Sequence, residues 1–154
     1  MKPSEIRSKL LEQHAQIRAL VAEARGAMDR PAGDRGASAE AGSLRQPGAQ
    51  SAVMARLAQL LRTHNQEEER LLRDIVARVD AWGPARVEIM DEHHLREHAE
   101  LYAALFGAEA VALDARRVDG VLDRLLEHMA AEERALYGED VLRDDSVVID
   151  ATCS

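Results

Sequence analysis

The 154-residue chain has one cysteine, one tryptophan, one phenylalanine and two tyrosines, and each scarcity removes a class of answer. The single thiol, Cys153 in the polar tail DDSVVIDATCS, has no partner for an internal disulfide and no neighbour at metal-ligand spacing, and reads as a frayed terminal group. With aromatics at 3% and few β-branched residues in the apolar runs, strands are disfavoured, while abundant Ala, Leu, Glu and Arg favour helix. Basic residues are outnumbered 28 to 20 by acidic ones, a formal net charge of -8. No basic stripe is present to neutralise phosphates, so nucleic acid and anionic membrane are poor partners. No apolar run reaches the ~18 to 20 residues that span a bilayer, and MKPSEIRSKLLEQH lacks the apolar core of a signal peptide, so the expected compartment is the cytoplasm. The length suits one domain with one core.

What the sequence does contain is helical periodicity. Ile6, Leu10, Ile17 and Val21 recur on one face of a helix that begins near Pro3 and must end before Pro31. Residues 30 to 50, RPAGDRGASAEAGSLRQPGAQ, have no period and read as a flexible connection. A second helix is predicted over Ser51 to Asp80, with Leu57, Leu60, Leu61, Leu71, Leu72, Ile75 and Val79 facing inward. After the turn AWGPAR a third runs from Pro84 to Leu113, carrying Val87, Met90, Leu101 and Leu105 on its inner face. The fourth covers Ala115 to Tyr137, with Val118, Val121, Leu122, Leu125, Met129 and Leu136 apolar and Gly138 as its stop. Short second and third connections predict an all-α, up-down-up-down antiparallel four-helix bundle over residues 1–138. An acidic tail, 139–154, follows, with Val147, Val148 and Ile149 as a strap across the bundle.

Polar residues interrupt the inward stripes. Of six histidines, His14, His64, His94, His98 and His128 fall among the apolar positions, and Glu68 and Glu132 stand one turn after His64 and His128. An unpaired imidazole or carboxylate costs several kcal/mol to bury, so a core holding all seven needs something to satisfy them together, and a multivalent cation does so. Height along the bundle agrees, at ~1.5 Å rise per residue. His14 lies about 15 residues before the end of its helix, His64 about 13 after the start of the next, and His128 about 13 into the fourth. Glu68 is about 12 residues before its helix ends, and His94 and His98 are about 10 to 14 into the third. Each pair, His64 with Glu68, His94 with His98 and His128 with Glu132, is four apart, so both side chains project from one face toward one metal or adjacent metals. Five imidazoles and two carboxylates exceed one tetrahedral ion; they fit two six-coordinate ions that share bridging carboxylates and leave a position open for a small ligand. His93 stands about 100° round the helix from His94 and is excluded. Superposing His64 on His128 also aligns Leu57 with Val121, Leu61 with Leu125, Glu68 with Glu132, Glu69 with Glu133 and Arg70 with Arg134, a weak internal repeat.

One His on the first helix, His-x-x-x-Glu on the second, His-x-x-x-His on the third and His-x-x-x-Glu on the fourth resembles the hemerythrin-like, or HHE cation-binding, domain, over roughly residues 5 to 138. The resemblance implies a non-haem di-iron centre inside the bundle. One iron would take three and the other two of His14, His64, His94, His98 and His128, with Glu68 and Glu132 as carboxylate bridges and an oxo or hydroxo group as a further bridge. O₂ or NO would bind at the open position, for sensing, storage or transport. Animal oxygen carriers of this family place the last carboxylate five residues after its histidine, which selects Glu133; related bacterial and HHE members place it at four, which selects Glu132. Glu132 is preferred because it continues the inner stripe.

Other readings are carried alongside. A ferritin-like site needs Glu-x-x-His on two helices, but the residues three before His14, His64, His98 and His128 are all leucine, and only Asp91 precedes His94 at that spacing. His94-Leu-Arg-Glu97-His98 matches the His-x-x-Glu-His pattern of zinc peptidases, with Glu97 as base, and leaves His14, His64 and His128 unexplained. A zinc-filled structural module is a further reading. A di-iron redox enzyme, reducing NO or peroxide or repairing iron centres, would keep more acid groups near the open position. The runs Glu67, Glu68, Glu69 and Glu132, Glu133 leave room for that, though flanking glutamates ordinarily make a solvated face. The nitrogen-rich donor set favours gas binding by family analogy. Tyr102 and Tyr137 could reach the site as redox or hydrogen-bond partners, but packing at the bundle ends is the expectation, with Trp82 capping the bottom.

Overall fold

Ile6, Leu10, Ile17 and Val21 do share one face: in the computed structural model they are buried on α1 (Pro3–Asp29). α2 follows over Gly48–Val79. A π-helical turn at Met90–His94 leads into α3 (Leu95–Phe106), and α4 spans Ala115–Ala135. The structure describes residues 1–29, 48–79, 85, 88, 90–107 and 114–144. Among them there is no strand. The flexible connection predicted at 30–50 lies outside the described residues except for 48–50, which are already helical. Trp82, the strap Val147, Val148 and Ile149, and Cys153 also lie outside them.

Besides the earlier start of α2, the ends of α3 and α4 differ from the sequence expectation. α3 ends at Phe106 rather than Leu113, because Gly107 donates its N–H back to Ala103 O at 2.8 Å and then turns to ψ 175°, which takes the chain off the helical path. α4 ends two residues before Tyr137. It begins where expected because Asp114 caps it, its carboxylate accepting from the Arg117 N–H at 2.9 Å.

α1 packs along α2 and α4, and α3 packs against α2 and α4, so the four helices close into a ring. Polar contacts fix their heights. Near one end Arg25 reaches Asp119 at 2.6 Å and also pairs with Asp123, while Arg56 meets Glu23. At the other end Lys9 meets Glu67 at 2.8 Å, and Ser4 donates to Asp144 through both its N–H and its hydroxyl. The core within the ring comes in two apolar clusters. One holds Ile17, Val21, Leu57, Leu61, Leu101, Leu105, Leu122, Leu125 and Met129 among others. The other holds Ile6, Leu10, Leu71, Leu72, Tyr137, Val141 and Leu142. Along α1 and α2 the buried polar residues fall between members of these two clusters, and on α4 Glu132 lies between Met129 of the first and, past the helix end, Tyr137 of the second, as a polar slab with an apolar layer on each side.

Candidate metal centre

All seven side chains singled out in the sequence are buried in that slab: His14, His64, Glu68, His94, His98, His128 and Glu132. Each helix supplies its share because the residues sit where an apolar side chain would otherwise face the axis. Donor atoms of His94, His98, His128 and Glu132 lie within 4.8 Å of one another, as do those of His14, His64 and Glu132. Glu132 belongs to both groups. Its Oε1 is 2.6 Å from His128 Nε2, 3.1 Å from His98 Nε2 and 3.3 Å from His94 Nε2, and its Oε2 is 3.2 Å from His14 Nε2. Glu68 Oε2 stands 3.0 Å from His94 Nε2, 3.3 Å from His98 Nε2 and 3.7 Å from His64 Nε2. His93 is exposed, with its Nδ1 2.9 Å from Arg96 Nη2. Glu133, 28% exposed against 3% for Glu132, turns to the outside of the cluster.

The imidazoles are also oriented from behind. His14 Nδ1 meets Glu133 Oε1 at 2.8 Å, His98 Nδ1 meets Glu69 at 3.3 Å, and His128 Nδ1 meets Glu97 at 3.1 Å. His64 Nδ1 meets Gln13 Oε1 at 3.1 Å, and the Gln13 amide in turn donates to Glu67, which Lys9 holds. Carboxylate and amide oxygens only accept, so these contacts place a ring proton on Nδ1 and turn Nε2 inward. Donation from the far ring nitrogen to a carboxylate or carbonyl oxygen is how metal-binding histidines are ordinarily fixed. These outer partners are what sequence reasoning missed. Glu67, Glu69 and Glu133 flank the inner stripe and read as a solvated face; only a neighbouring helix gives each a purpose, a histidine for Glu69 and Glu133 and Gln13 for Glu67. Glu97, the base of the peptidase reading, instead supports His128 from the surface side.

The donor set fits a cation. His14 Nε2 and His64 Nε2 face each other at 3.2 Å, so two ring nitrogens converge on one point with their Nδ1 atoms engaged elsewhere. His128 Nε2 and Glu132 Oε2 are fully buried and lack a hydrogen-bond partner. Both nevertheless stand close to neighbouring donor atoms, His128 Nε2 at 2.6 Å from Glu132 Oε1 and Glu132 Oε2 at 3.2 Å from His14 Nε2. Without a metal the charges settle among themselves. Burial holds the His64 pKa down at about 4, against the pull of Glu68 and Glu132. Burial also opposes charge on His98 and His128, but Glu132 outweighs it for both, with Glu68 adding to the effect on His98, which rises to about 10. Glu132 and Glu68 are penalised by burial, yet the surrounding histidines keep both below the usual carboxylate range.

Two further features border the cluster. A space of about 10 Å³, room for one water-sized guest, is walled by Leu61, Leu101, Leu125 and Met129 and by His64, His98, His128 and Glu132. Asn65 also lines it, and the Asn65 Oδ1 is buried with no partner. On the opposite side Tyr137, expected to pack at a bundle end, directs its hydroxyl to Glu68 Oε1 at 2.5 Å. It follows the end of α4, where helical period gives no signal.

Comparison with known proteins agrees with this geometry. The family model described as Hemerythrin HHE cation binding domain matches residues 5–139. No curated protein and no solved structure matches the chain significantly.

Proposed function

This chain belongs to the hemerythrin HHE cation-binding domain family, and we propose that it is a cytoplasmic di-iron protein that binds O₂ or NO inside an up-down-up-down bundle. Antiparallel neighbours are supported by the pairing of the start of α1 with the end of α2 through Lys9 and Glu67, and of the end of α1 with the start of α4 through Arg25 and Asp119. The observation that carries the metal reading is the split of the donors into two groups that share Glu132. His94, His98 and His128 would hold one iron and His14 and His64 the other, with Glu132 as the carboxylate common to both donor groups. When bound, the iron pair supplies reversible electron donation to a small ligand at an open coordination position.

The chain's own contribution is orientation and exclusion. Outer carboxylates hold the imidazole Nε2 atoms inward, the apolar layers keep bulk water out, and the leucine- and methionine-walled space beside the donors, with room for one water-sized guest, excludes larger ligands. Anaerobic spectra of the iron-loaded protein, followed by O₂, removal of O₂, and then NO, test the proposal. A spectral change that reverses on removing O₂ supports gas binding. No response to either gas would sink it.

A redox enzyme is the second reading, favoured by Glu69, Glu97 and Glu133 on ring nitrogens. Carboxylate partners make an imidazole a stronger donor, which favours the more highly charged oxidised metal. Sustained consumption of peroxide or NO with a reductant would select it over reversible binding.

A further inference from the structure

Tyr137 is 1% exposed, and nothing in the ligand set accounts for where its hydroxyl points. The backbone carries it there. Leu136 and Tyr137 both donate their N–H to Glu132 O, at 2.7 and 3.1 Å, and the chain then reverses through Gly138, whose carbonyl accepts from Val141 and Leu142. Arg7 Nε donates to the Tyr137 carbonyl at 2.8 Å, and the phenol ring rests 5.1 Å from the His14 ring, centroid to centroid. With backbone and ring both fixed, the hydroxyl meets Glu68 Oε1 at 2.5 Å. The phenol O–H donates and the carboxylate oxygen accepts.

That donation makes the two central carboxylates unequal. Glu132 turns both oxygens to histidines, Oε1 toward His94, His98 and His128 and Oε2 toward His14. Glu68 turns only Oε2 to histidines, because Oε1 is taken by the phenol. We propose that Tyr137 is a positioning residue of the metal centre: its hydroxyl holds Glu68 by one oxygen, so that Glu68 offers the metals the other, while Glu132 alone offers both. The inference rests on the metal reading above and goes beyond it, since two equivalent bridges are what the sequence pattern by itself implies. A carboxylate pinned by a short hydrogen bond keeps its orientation when the metal leaves, and it donates less charge when the metal is present.

Tyr137→Phe removes the hydroxyl and little else. The iron-loaded variant is expected to yield its metal to a competing chelator with roughly 10- to 100-fold lower affinity than wild type, the range seen for lost outer-shell partners, and to show a shifted visible spectrum. Tyr102→Phe, whose hydroxyl bonds Arg62 at 2.6 Å away from the cluster, leaves both unchanged. A Tyr137→Phe protein indistinguishable from wild type in retention and spectrum overturns the proposal. A second measurement needs neither metal nor that variant. Tyr102→Phe leaves Tyr137 as the only tyrosine, and its near-ultraviolet band in the metal-free chain should shift when Glu68→Gln replaces the charged acceptor. An unmoved band overturns the proposal even if Tyr137→Phe does not fold. The failures separate: a wild type that holds no metal pair defeats the functional reading, whereas one that holds the pair but is insensitive to Tyr137→Phe defeats only the role of the tyrosine.

Discussion

Glu132 and Glu133 are adjacent in sequence, and their environments divide them cleanly. Glu132 joins both donor groups, while Glu133 reaches only the back of His14, with Arg18 on its other side at 2.8 Å. Glu132→Ala is therefore expected to abolish binding of the metal pair, read as metal per chain. Glu133→Ala should retain the metal but weaken its hold by roughly 10- to 100-fold, as for other outer-shell losses. His93→Ala should change neither, because its partner is Arg96 at the surface. If Glu133→Ala loses the metal and Glu132→Ala keeps it, the assignment of the shared carboxylate is reversed. Equal spacing in sequence fails as a guide here: Glu97, Glu69 and Glu133 all support histidines that lie on another helix, so no pattern within one helix reports them.

At the scale of the helices, most of the architecture was legible because burial of one face imposes the 3.6-residue period. Ile6, Leu10, Leu57, Leu61, Leu101, Leu105, Leu122 and Leu125 are all buried, as that period requires. The weak repeat was legible too, and it extends further than matching residue types. Glu69 on α2 and Glu133 on α4 perform the same task, each supporting a histidine of an adjacent helix, His98 and His14 respectively. Less legible were features that periodicity does not encode: the π-helical turn at Met90–His94, the early end of α3 at Gly107, and the reversal after α4 that returns Tyr137 to the cluster. The cap of α4 has a measurable consequence. Asp114→Ala should cost about 1 kcal/mol and lower the melting temperature by roughly 2 to 4 °C for a chain of this size, with metal content unchanged. An unaltered melting temperature would show that the Asp114 contact contributes nothing.

For the molecule as a whole, the polar slab couples stability to pH and to metal. In the metal-free chain His98 has its pKa raised from 6.5 to about 10, so its contribution is complete below 6.5 and is lost as pH rises toward 10. His64 behaves oppositely. Its pKa falls to about 4, so the fold is penalised progressively as pH drops from 6.5 toward 4. Glu68, held below 4.5, adds a loss as pH falls further. Metal-free stability is therefore expected to peak near pH 6.5 and to decline on both sides, by at most about 1.4 kcal/mol per pH unit for each titrating group. Denaturant midpoints across pH 4 to 10 would reveal this, and a flat profile would contradict it. Loading metal replaces protons on the histidines, so it should release protons and raise the melting temperature. The claim on which everything else depends is that seven buried side chains form one centre for two iron ions. Metal analysis of the chain produced with iron supplementation tests it most directly: a coloured protein with about two irons per chain is the expected result, and a colourless protein with a single zinc, or with no metal, would contradict it.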